Sequence, residues 1–106
     1  MIAKTPKPPY YAVIFTSVRT SIDNGYSEMG AKMEKLVKNQ PGFLGFESAR
    51  EEIGISISFW KDLKSIKSWK EQQEHSIAQE LGKIEWYKSY KIRISKVERD
   101  YEFEAF

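Results

Sequence analysis

The sequence contains no cysteine. That absence excludes disulfides, thiolate nucleophiles and thiolate metal sites together, and it suits a reducing interior where bridges would not persist, so the expected location is cytoplasmic. Histidine is nearly missing as well. His75 stands alone, without a His-Glu-x-x-His pattern or other ligands at metal spacing, and neither a metal nor a resident cofactor is expected. No apolar run approaches the ~20 residues that span a bilayer, so no membrane partner is expected. Gly-x-Ser-x-Gly and the phosphate-cradling glycine patterns are also absent, which removes the usual support for a hydrolase or a nucleotide binder. Charge of one sign is lacking too: 17 basic against 15 acidic residues leave a formal net charge of +2. No broad field draws in nucleic acid or anionic lipid, and any ligand must be recognised locally.

What is present is aromatic. Trp60, Trp69 and Trp86 are the only tryptophans, they sit close together with His75 and Tyr87, and tryptophan is large enough to wall a site or fill a packing layer. A chain of 106 residues with 41% hydrophobic and 30% charged residues supports one ordinary globular core and excludes disorder as the main description. Residues 1–9, Met-Ile-Ala-Lys-Thr-Pro-Lys-Pro-Pro, lack the hydrophobic stretch of a secretory signal. They read as an extended, Pro-stiffened leader ahead of a single domain over 10–106.

Periodicity gives the elements. Residues 10–20 are aromatic and β-branched, with Tyr11, Val13 and Phe15 on one face and Ala12, Ile14 and Val18 on the other, so this strand is apolar on both sides. Over 22–39, Tyr26, Met29, Met33, Leu36 and Val37 form one helical stripe and Glu28, Lys32, Lys35 and Lys38 lie outside it; Asp23 or Asn24 suits the N-cap. Pro41-Gly42 makes a turn, and 43–51 and 53–60 read as an antiparallel hairpin. Asp62 opens a second helix that sends Ile66, Trp69, Ile77 and Leu81 to the core, with Gly82 suited to end it. The last strand runs from about Tyr87 to Asp100, with Tyr90, Ile92 and Ile94 alternating against Lys91, Arg93 and Ser95.

The order β-α-β-β-α-β predicts an α+β, ferredoxin-like fold: a four-stranded antiparallel sheet with both helices on one face. The other face stays uncovered. Phe46, Ile57 and Phe59 add to its apolar surface, so a second copy is the expected cover, and the tail Tyr101-Glu-Phe-Glu-Ala-Phe106 is placed to reach over that partner. Gly42-Phe-Leu-Gly-Phe46 resembles the RNA-reading strand found on the same scaffold, but Leu44 breaks the spacing, Pro41 replaces a basic residue and Glu47 would repel phosphate. No nucleic-acid partner is expected.

Three segments carry a more specific resemblance: Gln40-Pro-Gly-Phe-Leu-Gly-Phe-Glu-Ser-Ala-Arg50, Ile57-Ser-Phe-Trp60 leading through Ile66 to Trp69, and Trp86-Tyr87 leading into Tyr90-Lys-Ile-Arg93. Together they resemble the antibiotic biosynthesis monooxygenase (ABM) domain family over almost the whole chain from Tyr11 to Tyr101. The resemblance implies a homodimeric α+β barrel in which two ferredoxin-like sheets face each other and each protomer keeps a pocket between its own sheet and helices. Some members of that family oxygenate polycyclic phenols or quinols with O₂ and no metal or flavin, and others degrade haem. The implied function is a cofactor-independent monooxygenase acting on an aromatic or quinol-like small molecule. A non-catalytic small-molecule-binding or stress-related dimer is the rival reading. Haem binding or breakdown comes third, because the position that matches the axial histidine of the haem-degrading members is Gln79.

On this reading Trp60, Trp69 and Tyr26 wall the substrate pocket, Arg93 pairs with a carboxylate across the dimer or orients an acidic substrate, and His75 is the candidate catalytic base. The helical wheel opposes the last role. In one straight helix His75 lies about 180° from Ile66, so only a break near residues 70–73 would turn it to the pocket. Trp86 and Tyr87 are expected to pin the loop before the last strand, and the Lys-rich run 61–70 reads as a solvated helix face.

Overall fold

The structure, a computed structural model, describes residues 1–77 and 86–105, with the backbone alone described for 74–77. The element order is β1 (Tyr10–Arg19), α1 (Tyr26–Lys38), β2 (Phe43–Arg50), β3 (Gly54–Trp60), α2 (Leu63–Ile77) and β4 (Tyr87–Val97). The strands form one antiparallel sheet in the order β2-β3-β1-β4. This is the ferredoxin-like arrangement that the periodicity predicts. Ile77 (side chain), Gln79, Leu81, Gly82 and Phe106, which the sequence reading uses, lie outside the described residues.

Register divides the side chains between two faces, since partners opposite each other in antiparallel strands share a face. Tyr11 stands opposite Trp60, Val13 opposite Ser58 and Ile94, Phe15 opposite Ser56 and Ile92, and Ser17 opposite Gly54 and Tyr90. This is the helix-covered face, because Val37 of α1, Ile66 and Trp69 of α2 and Trp60 make one buried cluster with Tyr11, Val13, Met33, Leu36 and Phe43 against it. The opposite face carries Ala12 beside Phe59 and Ser95, Ile14 beside Ile57 and Arg93, and Thr16 beside Ile55 and Lys91.

One residue changes face relative to the sequence expectation. Phe43 pairs with Trp60 but Gly45 pairs with Phe59, so Leu44 is an extra residue in β2 and the alternation shifts by one. Phe46 therefore falls opposite Ser58, on the helix side, and not with Ile57 and Phe59. It lies at the sheet edge near Met1 and Ile2.

The start of α1 also differs. Neither Asp23 nor Asn24 is the N-cap; Gly25 is, with φ 82°, and the first helical bond runs from Met29 N–H to the Gly25 carbonyl at 3.0 Å. Longer-range partners claim residues 20–24 first. Arg19 donates to the Ile22 carbonyl at 2.9 Å and Trp86 Nε1 donates to the Asn24 carbonyl at 2.9 Å, which holds the segment out of the helix and leaves glycine to make the left-handed entry. In α2 the expected cap is present: Asp62 Oδ1 accepts the Ser65 N–H at 2.8 Å. Hydrogen bonds from Ser65, side chain first and backbone second, hold the Asp62 carboxyl below the usual carboxylate range.

The Pro41-Gly42 turn forms as the sequence predicts. Gly42 has φ 83°, and its carbonyl accepts the Lys61 N–H at 2.7 Å, which ties the β2 entry to the β3 exit. The leader is anchored rather than loose. Ala3 N–H donates to Glu47 at 2.8 Å, and Ala3 packs so close over Gly45 that a side chain there would stand 2.9 Å away. Thr5 Oγ1 donates to Tyr10 Oη at 3.0 Å, while Tyr10 donates to Asp100 Oδ2 at 2.6 Å. One end of the otherwise open face is thus covered by the chain's own two ends.

Candidate functional site

The aromatic residues separate into two groups at opposite ends of the helix-covered face. At the end where β1 begins, the Trp60 and Trp69 rings stack at 6.3 Å and 29°, and Phe43 meets Trp60 edge-on at 5.4 Å. Trp60 is fully buried, and its Nε1 donates to Ser58 at 2.8 Å, so its one polar atom is satisfied inside the core. This group is packing.

At the end where β1 finishes, aromatic rings meet cationic and hydroxyl groups. Tyr87 at the start of β4 contacts Phe15 at 5.5 Å, Tyr26 at 5.8 Å and Tyr90 at 5.8 Å, while Phe15 stacks on Tyr90 at 5.4 Å. Tyr26 meets Trp86 edge-on at 5.6 Å. Trp86 is buried, and its carbonyl accepts the Thr20 N–H at 2.8 Å, so this residue pins the entry of β4 to the β1–α1 connection. The Arg19 guanidinium lies 3.5 Å from the Tyr26 ring centre, a close cation–π contact, and its edge pairs with Asp23 at 3.7 Å. Among the described residues its buried Nε has no hydrogen-bond partner. A buried guanidinium donor left without an acceptor is costly, and an anionic oxygen brought by a ligand would relieve it.

A second guanidinium enters from the far edge of the sheet. Arg50 of β2 passes over Gly54 and donates from Nη2 to the buried Ser17 Oγ of β1. Any side chain at residue 54 would occupy the place of the guanidinium. Both Arg50 and Arg19 act on the Tyr87 phenol. Burial, the hydrogen bond to Tyr26 Oη at 3.5 Å and the nearby Tyr26 push the Tyr87 pKa well above the ordinary tyrosine value, against the lowering pull of the two arginines. Tyr87 is therefore a neutral donor throughout the physiological range. Flat apolar walls, the neutral Tyr87 phenol and two fixed positive charges can together hold an aromatic molecule and stabilise an oxyanion formed on it.

Of the residues proposed for substrate contact or catalysis, only Tyr26 belongs to this cluster, beside Trp86 and Tyr87, which the sequence reading assigned to pinning the loop before β4. Trp60 and Trp69 are in the core group at the other end. Arg93 lies on the opposite face of the sheet, beside Ile14, away from the face that carries the tryptophans. The helix α2 is continuous from Leu63 to Ile77, so the break that would redirect His75 does not occur. The His75 imidazole lies outside the described residues. Sequence reading missed Arg19, Arg50, Ser17, Phe15 and Tyr90. The accessible signal was the pairing of a polar Ser17 inside an apolar strand with a glycine that starts the next one. Among the described residues no group of three or more His, Cys, Asp or Glu side chains is placed to hold a metal ion.

Comparison with known proteins places this architecture. By fold the class is ferredoxin-like: the chain superposes on a variant of SnoaB, a cofactor-independent oxygenase from Streptomyces nogalater, with TM-score 0.69 at 12% identity over 86% of this chain and 95% of that one. A dimeric ferredoxin-like protein from an uncultured marine organism gives TM-score 0.58 at 16% identity, covering 91% of this chain and all of the other. In sequence, the chain is 48% identical over 100 residues to the uncharacterized protein YqjZ of Bacillus subtilis, spanning 92% of this chain and 88% of that protein, and it belongs to the same family. It is also 30% identical over 92 residues to the jasmonate monooxygenase ABM of Pyricularia oryzae, where the match takes in 82% of this chain but 43% of the fungal protein. No family model matches the chain.

Proposed function

We propose that this protein is a small monooxygenase that works without a resident cofactor on an aromatic or quinol-like molecule. The supporting observation is the cluster in which Phe15, Tyr26, Trp86, Tyr87 and Tyr90 gather around the Arg19 and Arg50 guanidiniums. The fold shared with an oxygenase described as cofactor-independent adds to it.

In this reading the rings hold a polycyclic phenol, and the two guanidiniums lower the cost of ionising it. The resulting anion gives an electron to O₂. For a methylene substrate of the anthrone type the balance is R₂CH₂ + O₂ → R₂C=O + H₂O, so the substrate supplies all four electrons and one oxygen atom leaves as water. With α2 unbroken, His75 is not given the role of the base that takes the first proton. The protein acts in the cytoplasm as a homodimer whose open sheet faces meet through Ile14, Ile55, Ile57 and Phe59. Among the described residues no helix is long and apolar enough to cross a membrane.

An oxygen electrode with a panel of anthrones and hydroquinones tests the reading. Protein-dependent O₂ uptake that is lost in Arg50→Met supports it. Tight binding of the same compounds with no uptake would leave the storage dimer as the correct account.

A further inference from the structure

The Arg19 guanidinium is fixed in place before any ligand arrives. Its Cζ stands over the Tyr26 ring, 3.5 Å from the ring centre, and its Nη2 donates to the Ile22 carbonyl at 2.9 Å. A planar cation stacked on one side and tethered at one end has little freedom left to lose, so a group that it receives is bound at low entropic cost. Nε is the donor left over. It is buried and, among the described residues, has no hydrogen-bond partner. Water does not reach that hydrogen, so an acceptor that enters the site is what satisfies it.

The charge around it is also incomplete. Arg19 and Arg50 both act on the Tyr87 phenol, which sets two positive charges beside one ring. Arg50 donates to Ser17, a neutral hydroxyl. Among the described residues the carboxylate that pairs with Arg19 is Asp23, which is 66% exposed and stands 3.7 Å from Nη2. A carboxylate so open to water is screened and offsets little of the field, so the protein side of the cluster keeps a surplus of positive charge. A phenol arrives neutral and leaves that surplus standing until it ionises, and a neutral carbonyl would satisfy the Nε hydrogen but not the charge. A carboxylate does both. It is ionised throughout the physiological range, and its bond to a guanidinium N–H is charge-assisted, about twice as strong as a neutral one.

We propose that the substrate of this site carries a carboxylate apart from its reacting ring, and that Arg19 Nε is the donor that seats it, with Arg50 left to the oxygen that ionises. The inference rests on the reading of the Tyr87 cluster as the substrate site. Arg19 then serves twice: the Nε hydrogen fixes the carboxylate, and the charge of the guanidinium still favours the oxyanion through space. The class of molecule is a polycyclic aromatic acid, flat enough for the walls of Phe15, Tyr87 and Tyr90 and anionic at one end.

Two probes of nearly the same shape test it: anthraquinone-2-carboxylate and anthraquinone-2-carboxamide. Neither is a substrate for oxygenation, so isothermal titration calorimetry reads binding apart from turnover. The unaltered protein is expected to bind the carboxylate about tenfold more tightly than the carboxamide, or better. Arg19→Gln brings the two affinities within about twofold of each other. Arg50→Gln weakens both probes alike, and Arg93→Gln, on the far face of the sheet, changes neither. Circular dichroism confirms that each variant is folded. Equal affinities in the unaltered protein, or no binding of either probe, would overturn the proposal without recourse to any variant, as would a preference that survives Arg19→Gln. O₂ uptake with neutral anthrones and no carboxylate preference would remove this subsite and leave the oxygenase standing. A preference that disappears with Arg19, in a protein that never consumes O₂, would keep the subsite and remove the oxygenase.

Discussion

The Arg50 guanidinium reaches across β3 to the buried hydroxyl of Ser17, and the path is open only because the residue between them is Gly54. A polar atom in the middle of an apolar strand is thereby satisfied, and a positive charge from the sheet edge is delivered to the ring cluster around Tyr87.

Gly54→Ala should expel Arg50 from this position. The backbone at residue 54 accommodates alanine, so the cost is the lost charge-assisted hydrogen bond, about 1.5–3 kcal/mol. Urea unfolding measures it. Arg50→Met should lose a similar amount, and the double variant should lose little more than either one, because both changes remove the same interaction.

Trp60→Ala should be far more damaging. Trp60 is fully buried between Phe43 and Trp69, and truncation of such a side chain costs roughly 3–5 kcal/mol, a large share of the ~5–15 kcal/mol that holds an ordinary domain folded. Thermal melting followed at 222 nm by circular dichroism reads it, with Trp69→Phe expected to lower the midpoint by about 4–8 °C if it costs about 1 kcal/mol.

The stability of the fold should fall at both pH extremes for identifiable reasons. Tyr87 has a raised pKa from burial and its Tyr26 hydrogen bond, and Tyr10 is raised by burial and by its bond to Asp100. A folded-state pKa above the unfolded one means that the unfolded chain loses its proton first, so stability is complete below about pH 10 and declines above it. Asp62 has a lowered pKa, so its contribution is present above about pH 4 and is lost as the pH falls through the lowered value. Denaturant midpoints across pH should show a shallower alkaline decline in Tyr87→Phe and a shallower acid decline in Asp62→Ala.

Arg19 and Arg50 should matter to turnover as well as to folding. With an active anthrone or quinol in hand, Arg19→Gln and Arg50→Gln should each reduce kcat by about 100-fold, the usual effect of deleting one donor to a developing oxyanion. Arg93→Gln, on the far side of the sheet, should leave kcat unchanged. With α2 unbroken, His75→Ala should leave the pH profile of kcat/KM unchanged.

Sequence periodicity determined the six elements, their order and the ferredoxin-like topology, because each element announces its face locally: Tyr11, Val13 and Phe15 at period two, and Met29, Met33, Leu36 and Val37 at helical spacing. Ile66 and Trp69 were likewise legible as core. Local pattern was blind to whatever depended on register or on partners distant in the chain. The bulge at Leu44 moved Phe46 to the helix side, and Trp86 took the Asn24 carbonyl from the start of α1. The ring cluster around Tyr87 is the clearest case. Arg50 and Ser17 stand 33 positions apart, and Tyr87 and Tyr26 stand 61 apart. No periodicity links such residues, since what brings them together is the order in which the strands pair, and strand order is settled by the packing of the whole chain rather than by any segment of it.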